Sequence, residues 1–367
     1  MLLTFLLAVP TMLVAPANVD LYVGTYTVGQ ASKGIYRVTL NTDSGTLSEP
    51  VLAGEAVNPS YLAIDPSKKF LYAVNESKAG EVGAFAIQSD GSLNFLGSQS
   101  SKGRDPCHLV VAPGDKSVLA ANYTSGSLAS FPIQADGSLA PADNVFQNQG
   151  TGPDKSRQEG PHMHAVFADT RARYTYACDL GTDEILIYKF DAAKGEPELQ
   201  NPVRTKSPHG SGPRHGVLNA QGRRLYVDNE LMNTVSVFDV DQRTGGLKEI
   251  QNIPTLPEGL GHHGSRSAEI VLDPNGKWLY VSNRGYDSIA AFRVLSDGRL
   301  SLIEIKRLEV KEPRGFAVDP SGKWLVVGGQ NSNDLQAIGI DPHSGALTSK
   351  GSKVPLPSPV CVLFPQG

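Results

Sequence analysis

The chain has 367 residues and a formal net charge of −4 at pH 7, with 33 Lys+Arg set against 37 Asp+Glu. Charge this close to balance excludes a general nucleic-acid binder, which needs a basic stripe, and 38 Gly, many in Asp-Gly or Asn-Gly-like turns, favour many short strands over long helices. Three cysteines, Cys107, Cys178 and Cys361, are odd in number, far apart and set in apolar strand-like stretches, so they read as small buried hydrophobes rather than a disulfide framework.

The chain opens on MLLTFLLAVPTMLVAPA, apolar for about 15 residues and ending in Ala15-Pro16-Ala17. That run is shorter than the roughly 20 residues a membrane-spanning helix needs, so no membrane span is expected. It matches the apolar core and small-residue cleavage site of a secretory signal, although no Lys or Arg precedes Leu13. Residues 1–17 are therefore expected to be a signal peptide and residues 18–367 a single domain, in the periplasm or secreted. The alternative is a cytoplasmic chain whose N-terminal tail packs on its own domain.

From there one unit recurs. Residues 58–96, 105–139, 160–199, 212–247, 265–300 and 312–347 each hold an apolar strand, a turn like Asp65-Pro66-Ser67-Lys68-Lys69, and a second strand built around a Leu-Tyr-Val-like core. A polar turn, a third strand and a Gly turn ending in Leu complete the unit. The Gly turn also occurs ahead of the six full units, as Asp43-Ser44-Gly45-Thr46-Leu47. There, residues 21–26 and 34–40 form two strands of a seventh unit that lacks its first strand, and residues 358–364 supply one from the other end of the chain. A repeat of about 45 to 56 residues with four alternating strands specifies an all-β fold, a seven-bladed β-propeller with four antiparallel strands per blade. The ring closes by pairing the C-terminal strand with the N-terminal three. A linear solenoid would end in polar caps instead of complementary halves.

With the strands of a blade named A to D, the loop entering A and the B–C turn share one face of the ring. Seven of the eight histidines fall on that face: His108, His162, His164, His209, His215, His262 and His263. Only His343 falls on the other, so a polar pocket is expected at the histidine-rich mouth of the channel. The B–C turn begins with Asn75, Asn122, Asp179, Asn229 or Asn283, a short polar side chain suited to bonding its own turn backbone. The next position varies: Tyr26, Glu76, Tyr123, Leu180, Glu230, Arg284 and Gln330. At the start of strand A the residue after proline is Ser60, Cys107, His162, Arg214 or Arg314. The remaining full unit has Ala268, with Arg266 and Glu269 alongside.

Arg214, Arg284 and Arg314 are thus expected to converge with Glu230 and His162 on one cavity. Glu76, His108, His164, His215 and Gln330 are further candidates for substrate contact. Planar guanidinium forks suit a carboxylate or phosphate, and a carboxylate and an imidazole beside them could exchange a proton with water or substrate. The competing structural reading is a set of rim salt bridges between blades. His162-Met163-His164 has spacing that would suit a metal, but no third ligand follows at a diagnostic distance. No GxSxG elbow, Walker loop or GxGxxG junction occurs, so neither metal nor cofactor is expected. Gly261-His262-His263-Gly264 reads as a lid or rim within a long polar loop.

Several of these stretches carry a family resemblance. LYVGTYT at 21–27, NPSYLAIDPSKKFLYAVNE, GPHMHAV, GPRHGVLNAQGRRLYVDNEL, DPNGKWLYVSNRGYDSIAAF and PRGFAVDPSGKWLVVGGQNSNDL together resemble the lactonase family of seven-bladed propellers. That family includes propeller-type 6-phosphogluconolactonases and carboxymuconate-lactonising enzymes. The resemblance covers essentially everything after residue 18 and implies a catalytic set of His162, Arg214, Glu230 and Arg284, the four that the columns also select. It implies a hydrolase of carbohydrate metabolism, of the pentose phosphate pathway type, opening a small sugar-acid lactone. Arg214, Arg284 and Arg314 would hold the anionic group and the developing oxyanion, and either Glu230 or His162 would be the general base. Two alternatives remain: a carboxymuconate-type cycloisomerase, and a non-catalytic propeller that binds a ligand or partner.

Overall fold

The computed structural model describes residues 17–169, 171–261 and 264–365. The expected signal peptide, except for Ala17, lies outside these described residues, as do His262 and His263. All regular secondary structure among them is β-strand, arranged in seven separate antiparallel sheets. Leu62–Ile64, Phe70–Asn75, Glu81–Ile87 and Leu93–Ser100 are strands A to D of blade 2. The same order repeats through blade 3 (106–147), blade 4 (163–206), blade 5 (213–254), blade 6 (266–307) and blade 7 (313–355). Blade 1 takes strands B to D from Asn18–Thr25, Gly34–Asn41 and Val51–Glu55, and its strand A is the C-terminal Pro359–Leu363. The two chain ends pair antiparallel, Tyr22 with Leu363 and Gly24 with Cys361, so the ring closes as the split repeat requires.

Each sheet is covered on both faces by its neighbours, which is why strand B of most blades is buried along nearly its whole length. Seven hydrophobic clusters result, one at each blade interface. Between blades 5 and 6, for instance, Tyr226 and Val237 pack on Ile270, Leu279 and Phe292. Most A–B turns are closed by a leading Asp or Asn. The Asp273 Oδ1 accepts the Lys277 and Trp278 amides at 2.5 and 2.7 Å, and Asp319 does the same for Lys323 and Trp324 at 2.9 and 2.7 Å.

The recurrence of tyrosine in strand B and of glycine in the C–D turn has one cause. The Tyr hydroxyl of one blade donates to the carbonyl of the turn glycine in the next: Tyr22 to Gly91 at 2.9 Å, Tyr72 to Gly137 at 3.1 Å and Tyr176 to Gly245 at 3.3 Å. Tyr226 reaches Gly298 and Tyr280 reaches Gly345, both at 2.9 Å. Blade 3 uses Ser117 on Gly195 (2.6 Å), and blade 7 uses the Trp324 indole on the Thr42 carbonyl (2.9 Å). Glycine is required in these turns for two reasons. Gly45, Gly137, Gly245 and Gly345 have φ between 72° and 84°. A Cβ there would also overlap the ring of Trp324, Phe70, Tyr174 or Trp278. The latch therefore circles the ring at the face opposite the histidine-rich mouth. Tyr226→Phe and Tyr280→Phe, which leave the glycine carbonyl unpaired, should each lower unfolding free energy by about 1 kcal/mol in chemical denaturation. Unchanged midpoints in both would show that the latch is not a stabilising contact.

Candidate functional site

At the mouth, Arg214 lies at the start of strand A of blade 5, and Glu230 follows the last residue of strand B. Pairing of Pro213 with Asn229, and a bond from the Glu230 amide to the Gly212 carbonyl, bring both side chains to the same end of the blade. The Glu230 carboxylate is the centre of a guanidinium cage. Its Oε2 accepts from Arg214 Nε at 3.0 Å and lies 3.0 Å from Arg284 Nη2, and its Oε1 accepts from Arg157 Nη2 at 2.6 Å. Glu230 and Arg214 are only 3% and 2% exposed. Burial by itself would raise the Glu230 carboxyl, but Arg284, Arg214 and Arg157 together overturn that and hold it far below the usual carboxylate range. Burial pulls Arg284 down to about 10, against the pull of Glu230, so it stays charged at neutral pH. The three arginines and one carboxylate carry a net positive charge. Arg157 and Arg284 also line a cavity of about 440 Å³ that opens at the mouth, with Arg266, Ser265 and Glu312 on its walls.

Arg157 arrives on a long strap, residues 148–162, that joins blades 3 and 4. Its neighbour Gln158 is fully buried and pins the strap: its amide nitrogen donates to the Leu180 carbonyl at 2.8 Å and to Asp183 at 2.7 Å, and its oxygen accepts the Asp154 amide. The same strap delivers Glu159 and His162. The His162 Nδ1 faces the Tyr123 carbonyl at 3.1 Å, and Nε2 faces Glu159 Oε1 at 3.1 Å. The ring stacks on Tyr123 with centroids 4.5 Å apart, and the Tyr123 hydroxyl accepts from Arg157 Nη2 at 3.2 Å. Tyr123 thus ties the imidazole to the cage. The local backbone is set by Asp179, whose Oδ1 accepts the His162 amide at 2.8 Å as well as those of Gly181 and Thr182. Gly181 is needed there because a Cβ would run into the Gly160 carbonyl and the His162 amide.

Deeper in the channel, His108, His164 and His215 meet edge to face, with His215 5.0 Å from His108 and 5.1 Å from His164. Burial drives all three imidazoles well below their ordinary range, so they sit neutral as a plug under the mouth. Tyr61 stacks on His108 at 4.0 Å. Cys107 packs beside His164, 3.3 Å from its carbonyl, as a buried neutral thiol. All three cysteines are free and buried.

Of the residues selected from sequence, the structure gathers Arg214, Glu230 and Arg284 in direct contact and joins His162 to them through Tyr123 and Arg157. Arg314 lies 5.6 Å from the Tyr26 ring. Its neighbour Glu76 accepts from the Tyr26 hydroxyl and from Ser60. Gln330 stands apart. Its amide bonds the Glu312 carbonyl, and it lines a separate recess with Gln30, Asn58 and Asn331. His209 is exposed on the rim. His108, His164 and His215 occupy the channel plug instead of the cage. Sequence columns passed over Arg157 and Glu159, because a strap has no counterpart in other blades with which to align; its unusual length was the available signal. A recess of about 470 Å³ at the opposite face, between Asn219 and Asp273, offers no comparable chemistry. Its Asn219 and Asp273 side chains are already committed to closing their own hairpins.

The model of a family described as "Lactonase, 7-bladed beta-propeller" matches residues 20–364. The chain is 37% identical to the 6-phosphogluconolactonase of Bacillus subtilis over 352 residues, covering 94% of this chain and 97% of that one. It is 34% identical to the 6-phosphogluconolactonase of Formosa agariphila, over 89% of this chain and 94% of the relative. Among solved structures, the periplasmic gluconolactonase of Pseudomonas aeruginosa superimposes with a TM-score of 0.89 at 30% identity, covering 95% and 99% of the two chains.

Beneath the cage, Asp228 is fully buried. Its Oδ1 accepts the His215 amide at 2.8 Å, while Oδ2 has no partner. Burial pushes this carboxyl from 3.8 up to about 7, against the pull of Arg214. Between those two values the unfolded chain gives up a proton that the folded protein keeps. Stability from this group therefore falls as pH rises through that window, by up to ~1.4 kcal/mol per pH unit. Asp228→Asn should remove the fall, so its stability relative to wild type should increase between about pH 4.5 and about pH 8 in chemical denaturation. A difference that stays constant with pH would mean that Asp228 does not titrate there.

Proposed function

The chain belongs to the seven-bladed β-propeller lactonase family, and from that membership and the guanidinium cage we propose that it opens an anionic sugar-acid lactone of the 6-phosphogluconolactone type with water. The protein is a carboxylic-ester hydrolase acting on a small molecule. One observation carries the assignment of the site: three arginines converge on a single buried carboxylate at the mouth of the channel. Glu230 is saturated with donors and strongly ionised, so it is a poor proton acceptor and a good anchor. It gathers the guanidiniums while leaving them donors to spare. Arg157 Nη1 and Arg284 Nε are buried without a partner in the protein. Preorganised donors of this kind stabilise an oxyanion as it forms on the lactone carbonyl, and bind the substrate's phosphate or carboxylate.

The base is then His162. With Nδ1–H donated to the Tyr123 carbonyl, Nε2 takes the proton of the attacking water once the exposed Glu159 carboxylate, which faces it at 3.1 Å, makes room for that water. Glu159 beside Nε2 stabilises the imidazolium that results. The proton returns to the ring oxygen as the C–O bond breaks, releasing the open hydroxy acid. The relatives named for lactone hydrolysis support this direction over muconate cycloisomerisation.

Export belongs to the same proposal: residues 1–17 would be removed on secretion, and the mass of the chain recovered from a periplasmic fraction tests it. Gluconolactone, for which the Pseudomonas relative is named, is then the neutral substrate to compare. In a lactone panel with spontaneous opening subtracted, the wild type should favour 6-phosphogluconolactone. Arg284→Ala and Arg157→Ala should each lower kcat by on the order of 10²–10³, and His162→Ala by on the order of 10²–10⁴. Wild-type rates in all three variants would refute the site. Loss of diene absorbance from a muconate, without lactone opening, would refute the reaction.

A further inference from the structure

Blade 6 departs from the column that supplies the cage. Pro213 pairs with Asn229 in blade 5 as Ser267 pairs with Asn283 in blade 6. Ala268 and Glu269 therefore occupy the places that Arg214 and His215 hold one blade earlier. Arg214 reaches across to blade 6, where the small Ala268 side chain leaves space, and its Nη1 donates to the Ala268 carbonyl. The same Nη1 lies 3.2 Å from His215 Nε2, and His215 Nδ1 lies 2.9 Å from Glu269 Oε1. A guanidinium has no acceptor, so Nε2 must present its lone pair and the single ring proton must sit on Nδ1. Glu269 is the acceptor that holds it there, with Oε1 also receiving the Ile270 amide at 3.1 Å. Tyr61, His108 and His164 box in the imidazole from the channel side.

We propose that Glu269 is a positioning residue for catalysis, fixing His215 as its Nδ1–H tautomer so that Nε2 orients the Arg214 guanidinium toward the substrate. The proposal rests on the reading of Arg214 as one of the arginines that meet the lactone. With Nε committed to Glu230 and Nη1 to Ala268 and His215, Arg214 has Nη2 as its uncommitted nitrogen. Losing the His215 contact would leave the fork held by Glu230 and the Ala268 carbonyl alone and let it shift, and a small misplacement of such a group costs on the order of 10² in rate. The groups whose charge bears on Glu269 come from several blades. Arg214 and Arg314 favour its anion, Asp228 sits beneath, and His108, Tyr61 and Cys361 share its cavity. Burial pushes the Glu269 carboxyl up to about 7. The carboxylate, the stronger acceptor for Nδ1–H, therefore forms as pH rises through neutrality.

The test uses Glu269→Gln, which keeps an acceptor without the charge, and Glu269→Leu, which removes it. Two readouts are needed: the His215 tautomer from imidazole ¹⁵N shifts, assigned with His215→Gln, and kcat and KM on the lactone across pH. Expected are an Nδ1–H tautomer in wild type and in Glu269→Gln, and most of the wild-type kcat in Glu269→Gln with its inflection near neutral pH lost. In Glu269→Leu the Nδ1–H loses its acceptor, so the Nε2–H tautomer should become populated at the expense of the Arg214 contact, with kcat down on the order of 10² and KM little changed. An Nε2–H tautomer in wild type, or an unaltered kcat in Glu269→Leu, overturns the proposal. Should Glu269→Leu not fold, the tautomer in wild type and the pH profile of Glu269→Gln still decide. Absence of lactone opening in wild type would strike the functional reading alone, since the tautomer is read without substrate.

Discussion

A side-chain donor on strand B bonded to the C–D turn of the next blade is the hydrogen bond that recurs at all seven blade interfaces, most often from a tyrosine hydroxyl to a glycine carbonyl. It joins blades that hydrogen-bonded sheets cannot join, because a propeller's sheets meet face to face and share no ladder. It also explains the repeat: strand B must carry tyrosine or a substitute donor, and the C–D turn must be glycine with positive φ. Blades 3 and 7 show that the requirement is for a donor, since Ser117 and the Trp324 indole fill the same role. With the ring stapled at one face, the turns of the other face are released from that duty and can differ from blade to blade.

That freedom is used to assemble charge. Burying Glu230 with Arg214 and Arg284, and Arg157 in large part, takes most of four ions out of water, and such clusters are weak contributors to stability in their own right. What the arrangement achieves is orientation. A single carboxylate draws three like charges together that would otherwise repel, and leaves each with donors for a ligand. The two carboxyls below, Asp228 and Glu269, respond to the same burial without three cations to offset it, and rise to about 7. Three acids within one blade interface thus differ in protonation because their counts of nearby guanidiniums differ.

The strap makes the cage a composite of separate parts of the chain. Arg157 and His162 belong to one loop held by the buried Gln158, Arg214 and Glu230 to one blade, and Arg284 to the next. Tyr123, from blade 3, links the imidazole to the arginine through a stack and a hydrogen bond. The cage therefore depends on blades 3 to 6 keeping their mutual positions, which the apolar interfaces between them enforce.

Blade number, the split first blade, its closure by the last strand and the face on which Arg214, Glu230 and Arg284 meet were all legible in the sequence. The physical reason is that strand alternation, turn chemistry and the latch are local demands, met again in every repeat. Alignment of repeats also brought Arg214, Glu230 and Arg284 together, because each sits at a fixed distance from a recurring turn. Tertiary structure alone decided the rest. Arg157 enters from a strap with no repeat to align. Gln330 shares its column with Glu230 yet faces another recess. Glu230 stays ionised because three guanidiniums outweigh its burial, and those neighbours come from three stretches of chain far apart in sequence.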